Sequence, residues 1–332
     1  MARAAALYPD AMRFVIIGAG AIGGVVGARL HQAGRDVLLI ARGAHHDAIA
    51  AHGLTLETPQ ERVSLPMELE PSLDAVRFGG DDIVLLATKS QDTVVALDAL
   101  HDVAPVTAPV VCLQNGVENE RVALRRFAHV YGALVMSPTA HLEPGVVQAY
   151  ATAITGEIDI GCYPSGTDEH CSDVCGALSA AGFSSEPRAD IMRFKHAKLI
   201  GNLANAVQAV CGLGPATDEL IERAQQEGRE VLRAAGIEFT DENVADLRGR
   251  WERWQVGEIE GRPRGGGSTW QSVVRGTGSV ETDYLTGEIV LRGRLIGAPT
   301  PVNELLQALA RETVRDRHEP GWITAEHALA RL

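Results

Sequence analysis

The string Gly18-Ala19-Gly20-Ala21-Ile22-Gly23 follows the apolar run Arg13-Phe14-Val15-Ile16-Ile17 without a break. A run ending in such uninterrupted apolar residues is expected for a central parallel strand buried on both faces. A G-x-G-x-x-G string between such a strand and an amphipathic helix brings backbone N–H groups and a helix N-terminus to an anionic diphosphate. Gly18 makes the tight turn, Gly20 lets backbone approach the ligand, and Gly23 lets helix and strand pack closely. The pattern predicts a turn over 18–24 and a helix over 25–33.

Further runs of the same character follow at Asp36–Ile40, Asp82–Ala87 and Pro109–Leu113, each with a helical stretch behind it. This alternation predicts an α/β fold with a Rossmann-like, doubly wound parallel sheet. From about Val130 the segments 145–150 and 153–160 suggest antiparallel strands appended to that sheet. Ser185-Glu186-Pro187-Arg188 is expected as a linker, which divides the chain into a dinucleotide-binding domain over 12–186 and a helical substrate domain over 187–332. The helical half is interrupted at 212–215 and at Gly261-Arg262-Pro263-Arg264-Gly265-Gly266-Gly267. The second interruption is the candidate mobile active-site loop. Residues 1–11 are expected to be a disordered extension or the product of an upstream start.

Thirty Lys and Arg against 43 Asp and Glu give a formal charge of −13, which argues against nucleic-acid binding through phosphate neutralisation. No apolar run reaches the ~18 residues of a membrane helix, and no export signal is evident, so a cytoplasmic protein with reduced thiols is expected. Cys162, His170, Cys171 and Cys175 cluster in sequence. They lack the paired-ligand spacing of a structural zinc site, and the expectation is small buried residues with no metal.

At the end of the second strand an NAD site normally carries Asp or Glu. Here the chain reads Ile40-Ala41-Arg42-Gly43. Arg42 is suited to a 2′-phosphate through its guanidinium fork, so NADPH is the expected cofactor. In Lys198-Leu199-Ile200-Gly201-Asn202-Leu203-Ala204-Asn205, a helix at about 100° per residue brings Lys198, Asn202 and Asn205 to one face. A lined cleft and a solvated stripe both fit this, and the scarcity of other charges favours the cleft. A partly desolvated lysine has a lowered pKa and can donate a proton near neutrality. Glu281 and Asp283, taken alone, read equally well as the acidic start of a helix.

Taken in order, the glycine loop, Ala87-Thr88-Lys89, Leu113-Gln114-Asn115-Gly116-Val117, Lys198-Leu-x-x-Asn202, Glu281-x-Asp283-Tyr284-Leu-x-Gly287 and Pro299-Thr300-Pro301-Val302-Asn303 resemble the ketopantoate reductase family. The resemblance spans roughly residues 12–315. It implies a Rossmann domain and a helical domain with the active site in the cleft between them, NADPH as cofactor, and reduction of 2-dehydropantoate or a close 2-oxo acid. It further implies Lys198 as general acid and Glu281 as the carboxylate that orients the lysine and holds the substrate hydroxyl. Asn115, Asn202, Asn205, Ser268 and Thr269 are implied on the substrate side. Gly18 through Gly23 (with Ala19, Ala21 and Ile22), Arg42, Lys89, Asn115 and Glu281 are implied on the cofactor side.

The family often has a second asparagine eight residues after its lysine. Here that position is Ala206, with Asn205 one residue earlier. A reductase of a different small carbonyl compound, or a non-catalytic NADPH-sensing protein, are the alternatives. A homodimer is the expected assembly.

Overall fold

In this computed structural model the described residues are 12–240, 249 and 253–332. The extension expected over 1–11 lies outside them. The chain forms two compact units, which among the described residues comprise 12–114, 119–192, 249 and 253–262 in the first and 115–118, 193–240 and 263–332 in the second.

The first unit is built on a seven-stranded sheet. Its strands are β1 (Arg13–Ile17), β2 (Asp36–Ile40), β5 (Glu68–Glu70), β6 (Asp82–Leu86), β7 (Val110–Cys112), β8 (Val130–Met136) and β11 (Glu157–Cys162), in the order β11-β8-β7-β6-β1-β2-β5. All neighbours are parallel except β11, which runs antiparallel to β8. β1 lies between β2 and β6, so the strand order reverses there. In open α/β sheets ligands bind outside the carboxyl ends of strands at such a switch point. The first two strands have the predicted bounds. Phe14, Val15, Ile16, Val84 and Leu85 are completely buried, as the continuous apolar runs require.

Three local expectations are corrected. Helix α1 (Ala21–Gln32) begins inside the glycine loop, with Gly20 as its N-cap, rather than at Val25. The segment 145–150 does not extend the main sheet. Its strand β10 (Val146–Ala149) pairs with β3 (Leu54–Glu57) and β9 (Thr139–Ala140), and β4 (Arg62–Leu65) completes a separate four-stranded sheet in the order β4-β3-β10-β9. Ser185–Arg188 is not a free linker. It runs beside β11 through Ile160 N–H to Glu186 O (3.3 Å) and Arg188 N–H to Ile160 O (2.8 Å). Buried Asp159 accepts from Glu186 N–H (3.1 Å) and Arg188 Nε (3.0 Å). A carboxylate buried on a strand needs such partners, and they tie this segment to the first unit.

The cysteines pack as expected on the sequence. Cys171 and Cys175 are buried and Cys162 is half-buried. The Cys162 and Cys171 sulfurs lie 3.9 Å apart. Asp168 beside them caps α5 (Glu169–Ala180), accepting from Cys171 N–H (3.0 Å) and the Tyr131 hydroxyl (2.7 Å).

The second unit is helical among its described residues. It contains α6 (Ile191–Asn202), α7 (Ala204–Cys211), α8 (Asp218–Ala234) and the helices Ser268–Val274, Thr286–Ile296, Pro301–Arg315 and Ala325–Leu329. Glu227 on α8 accepts from the backbone N–H groups of Val302 (3.0 Å) and Asn303 (2.8 Å) and from Asn303 Nδ2 (2.8 Å). The Pro299–Asn303 motif is thus a docking joint, in which a carboxylate satisfies the free N–H groups at the start of a helix.

Candidate active site

At the carboxyl ends of β1 and β6 the glycine loop makes its turn. Gly18 has φ +100°, and a Cβ there would sit 3.0 Å from Thr88 N. At Gly23 a Cβ would collide with Gly18 O and the Ala87 side chain. Around Gly20 no atom lies within 4 Å of where a Cβ would stand. The loop is therefore tight where it meets the protein and open at its middle glycine, beside the N-terminus of α1. This arrangement fits a dinucleotide diphosphate. Arg42, exposed, is the N-cap residue of α2 (Gly43–His52) at the end of β2.

Lys89 precedes a single 3-10 turn, Ser90–Asp92, at the end of β6. A buried polar network fixes that turn. Gln114 Nε2 donates to Thr88 O (3.0 Å) and Thr93 Oγ1 (2.7 Å), Thr93 Oγ1 to Asn119 Oδ1 (2.8 Å), and Asn119 Nδ2 to Ser90 Oγ (3.1 Å). The sequence motifs Ala87–Lys89 and Leu113–Val117 are thereby joined through Gln114. Ser90, Thr93 and Asn119 escaped the sequence reading because they are ordinary polar residues without diagnostic spacing. Asn115 groups with the second unit.

In the second unit, α6 carries Lys198 and Asn202 at i and i+4, on one face. Asn205 stands on a second helix rather than on the same one as Lys198 and Asn202. α6 ends at Asn202, Leu203 N–H bonds back only three residues to Ile200 O (3.2 Å), and α7 starts at Ala204. Gly201 and Asn202 are weak helix formers, and the break falls at them. Asn205 instead packs against Gly267, where a Cβ would collide with its Oδ1. Gln208, one turn further on α7, accepts from Gly267 N–H (2.9 Å). At Gly265 and Gly266 a Cβ would run into the Trp270 ring. The three glycines 265–267 are thus a packed segment leading into Ser268 and buried Thr269, while Gly261, Pro263 and Arg264 ahead of them are exposed.

Lys198 is half-buried. Burial pushes its ammonium down to about 7, the charge of Lys195 pushes the same way, and Glu281 opposes them. Lys195 and Glu281 are themselves buried. Glu281 opens the 3-10 segment Glu281–Tyr284. Asp283 of that segment accepts from Gln307 Nε2 (2.8 Å) and Arg311 Nε (2.9 Å), so this acid holds the neighbouring helix, and Glu281 is the one whose charge acts on Lys198. Asn202 Nδ2 and Ser268 Oγ are buried without a hydrogen-bond partner among the described residues. An unsatisfied buried polar group costs about 1–3 kcal/mol, and a polar ligand relieves it.

A doubly wound sheet with a dinucleotide loop at its switch point, followed by a helical unit carrying a lysine poised near neutrality, defines an oxidoreductase of the NAD(P)-binding Rossmann class. Ketopantoate reductase PanE/ApbA matches residues 14–165, and its C-terminal counterpart, Ketopantoate reductase PanE/ApbA C terminal, matches residues 190–314. The chain belongs to the ketopantoate reductase family. It is 31% identical over 308 residues to the 2-dehydropantoate 2-reductase of Pyrococcus horikoshii, covering 90% of this chain and 97% of that protein. The crystal structure of the PanE/ApbA family ketopantoate reductase of Ralstonia eutropha JMP134 superposes with a TM-score of 0.76 at 33% identity, covering 93% of this chain and all of that one. D-mandelate dehydrogenase, in its ternary structure with NADH and anilino(oxo)acetate, shares the fold with a TM-score of 0.79 at 21% identity over 93% of this chain and all of that one.

Proposed function

We propose that this chain is an NADPH-dependent reductase of 2-dehydropantoate, or a close 2-oxo acid, to the 2-hydroxy acid. The observation that carries this reading is the half-buried Lys198 on α6, with buried Lys195 and Glu281 acting on its charge, in a unit that leaves Asn202 Nδ2 and Ser268 Oγ buried without a partner among the described residues. Bound at the glycine loop, the nicotinamide cofactor supplies the hydride. Gly18–Gly23 hold its diphosphate, Arg42 takes the 2′-phosphate, and Lys89, fixed by the Gln114 network, lies on the cofactor side.

Hydride addition to a ketone places negative charge on oxygen. A cationic donor there stabilises the transition state more than the ground state. Lys198 delivers that proton, and with a pKa of about 7 it is protonated often enough to donate and acidic enough to give the proton up. Glu281 keeps the ammonium oriented and accepts from a substrate hydroxyl. Asn202 Nδ2 and Ser268 Oγ, otherwise unsatisfied, bind the oxo acid together with Thr269 and Asn115. Asn205 acts one step back, by holding Gly267 in place ahead of Ser268. We place the enzyme in the cytoplasm as a homodimer; sedimentation of the purified protein tests the assembly.

The deciding experiment is NADPH oxidation by the purified protein with 2-dehydropantoate, pyruvate and larger 2-oxo acids side by side. Preferential turnover of 2-dehydropantoate is expected. Turnover of another oxo acid in its place assigns the enzyme to a different small carbonyl substrate, the reading that Ala206 favours at the position where the family often has asparagine. NADPH binding with no turnover across the panel overturns the enzymatic reading.

A further inference from the structure

His45 is absent from every sequence motif, yet it touches the dinucleotide loop directly. It is the third residue of α2 and half-buried. Its Nε2 lies 2.7 Å from Ala19 O, and its Nδ1 accepts from Gly145 N–H at 2.8 Å. The second bond fixes the first. A backbone N–H only donates, so Nδ1 is unprotonated, and Nε2 carries the hydrogen that Ala19 O accepts. The ring is therefore a neutral two-ended bridge between the glycine loop and the turn ahead of β10.

Both ends of the bridge are held. Gly145 has φ +78°, and a Cβ there would come within 2.9 Å of the Ala48 Cβ, so the turn lies directly on α2. His141 packs against His45 with ring centroids 4.2 Å apart and the planes tilted by 49°, and its Nδ1 donates to Val146 O at 3.0 Å. The loop end matters for binding because a trans peptide is planar, with C=O and N–H pointing in opposite directions. Anchoring Ala19 O sets the plane of the Ala19–Gly20 peptide, and with it the direction of Gly20 N–H in the loop.

We propose that His45 is a positioning residue that orders the glycine loop for the dinucleotide, and that it does so only as the neutral imidazole. This rests on the reading that the loop binds a nicotinamide dinucleotide. Protonation puts a second donor at Nδ1 against Gly145 N–H, and the bridge opens. The other charged and titratable groups on the surrounding segments are Arg42, His46, Asp47 and His52 on and before α2, His141 and Glu143 on the facing turn, with Glu143 paired to Arg262, and Glu57 of β3 and Glu68 and Glu70 of β5, the strands packed against α2. His141 lies against the ring, so the test isolates His45 by substitution.

The test measures the dissociation constants of NADPH and NADH with the full-length protein between pH 8 and pH 5.5, for wild type and His45→Gln. Glutamine retains an N–H donor for Ala19 O and does not titrate. Affinity of the wild type is expected to fall about tenfold over this range for both nucleotides. In His45→Gln the NADH curve flattens, while NADPH keeps only the slope of its own 2′-phosphate. Nitrogen-15 spectra of the free wild-type protein at pH 8 are expected to show His45 as the Nε2–H tautomer. The same NADH slope in both proteins overturns the proposal, as does an Nδ1–H tautomer, and either result leaves the cofactor assignment standing. Absence of any dinucleotide binding at pH 8 overturns both.

Discussion

Lys195 lies three residues before Lys198 on α6, and its charge adds to the burial that brings the Lys198 ammonium down to about 7, against the pull of Glu281. Two lysines one helical turn apart are a standing electrostatic cost. Here that cost places the proposed proton donor in the working pH range.

The donor must be protonated to act, so kcat/KM for ketone reduction is expected to fall as pH rises through about 7. Lys195→Met removes a charge that lowers the Lys198 pKa and moves the decline to higher pH. Glu281→Gln removes one that raises it and moves the decline lower. Initial rates from pH 5.5 to 9.5 check both directions, and a decline that stays in place in both variants removes Lys198 as the titrating group.

Lys198→Ala is expected to lower turnover by about 10² to 10⁴, the usual contribution of a general acid, with NADPH affinity kept. Steady-state rates together with a direct NADPH titration separate the two effects. Near-normal turnover would take the residue out of the mechanism.

A lysine whose folded pKa is depressed weakens the fold when protonated. The unfolded chain binds the proton with a pKa near 10.5, the folded chain near 7. Below about 7 the penalty is complete; it shrinks as pH rises and vanishes above the unfolded value. Lys198→Met is therefore expected to raise Tm at pH 6.5 by more than at pH 9.5. Thermal denaturation at the two pH values reads the difference, and an equal change at both contradicts it.

Arg42→Ala is expected to weaken NADPH binding about tenfold or more while sparing NADH, as the loss of a charge-assisted phosphate contact would. Equal losses for both nucleotides sink the phosphate-reading role.

Much of the dinucleotide half could be read in advance, because parallel strands buried on both faces write themselves as unbroken apolar runs, as at Phe14–Ile17 and Val37–Ile40. The second sheet could not. Its strands β3, β4 and β10 are short, and β10 pairs with a strand about ninety residues earlier, a choice that no local pattern records. The proposed substrate side was legible as residue types: Lys198, Asn202 and Glu281 each carried a motif. What those motifs omit is the support. The packing of Asn205 on Gly267, the reach of Gln114 to Thr93, and the bridge made by His45 are tertiary contacts of polar residues with no period of their own.

The return of residues 253–262 to the first unit bears on whether that unit can live alone. Arg253 pairs with Glu157, and Arg262 pairs with Glu57 and Glu143. Glu57 and Glu157 are both buried, and a buried carboxylate stripped of its cation is strongly destabilising. A fragment cut after residue 192 keeps the whole seven-stranded sheet and the glycine loop, yet leaves Glu157 without Arg253 and Glu57 with Gln148 Nε2 and the exposed Arg62 in place of Arg262. The nucleotide-binding half is thus finished by chain that is synthesised roughly seventy residues later, and a fragment that stops short of it is expected to be less stable.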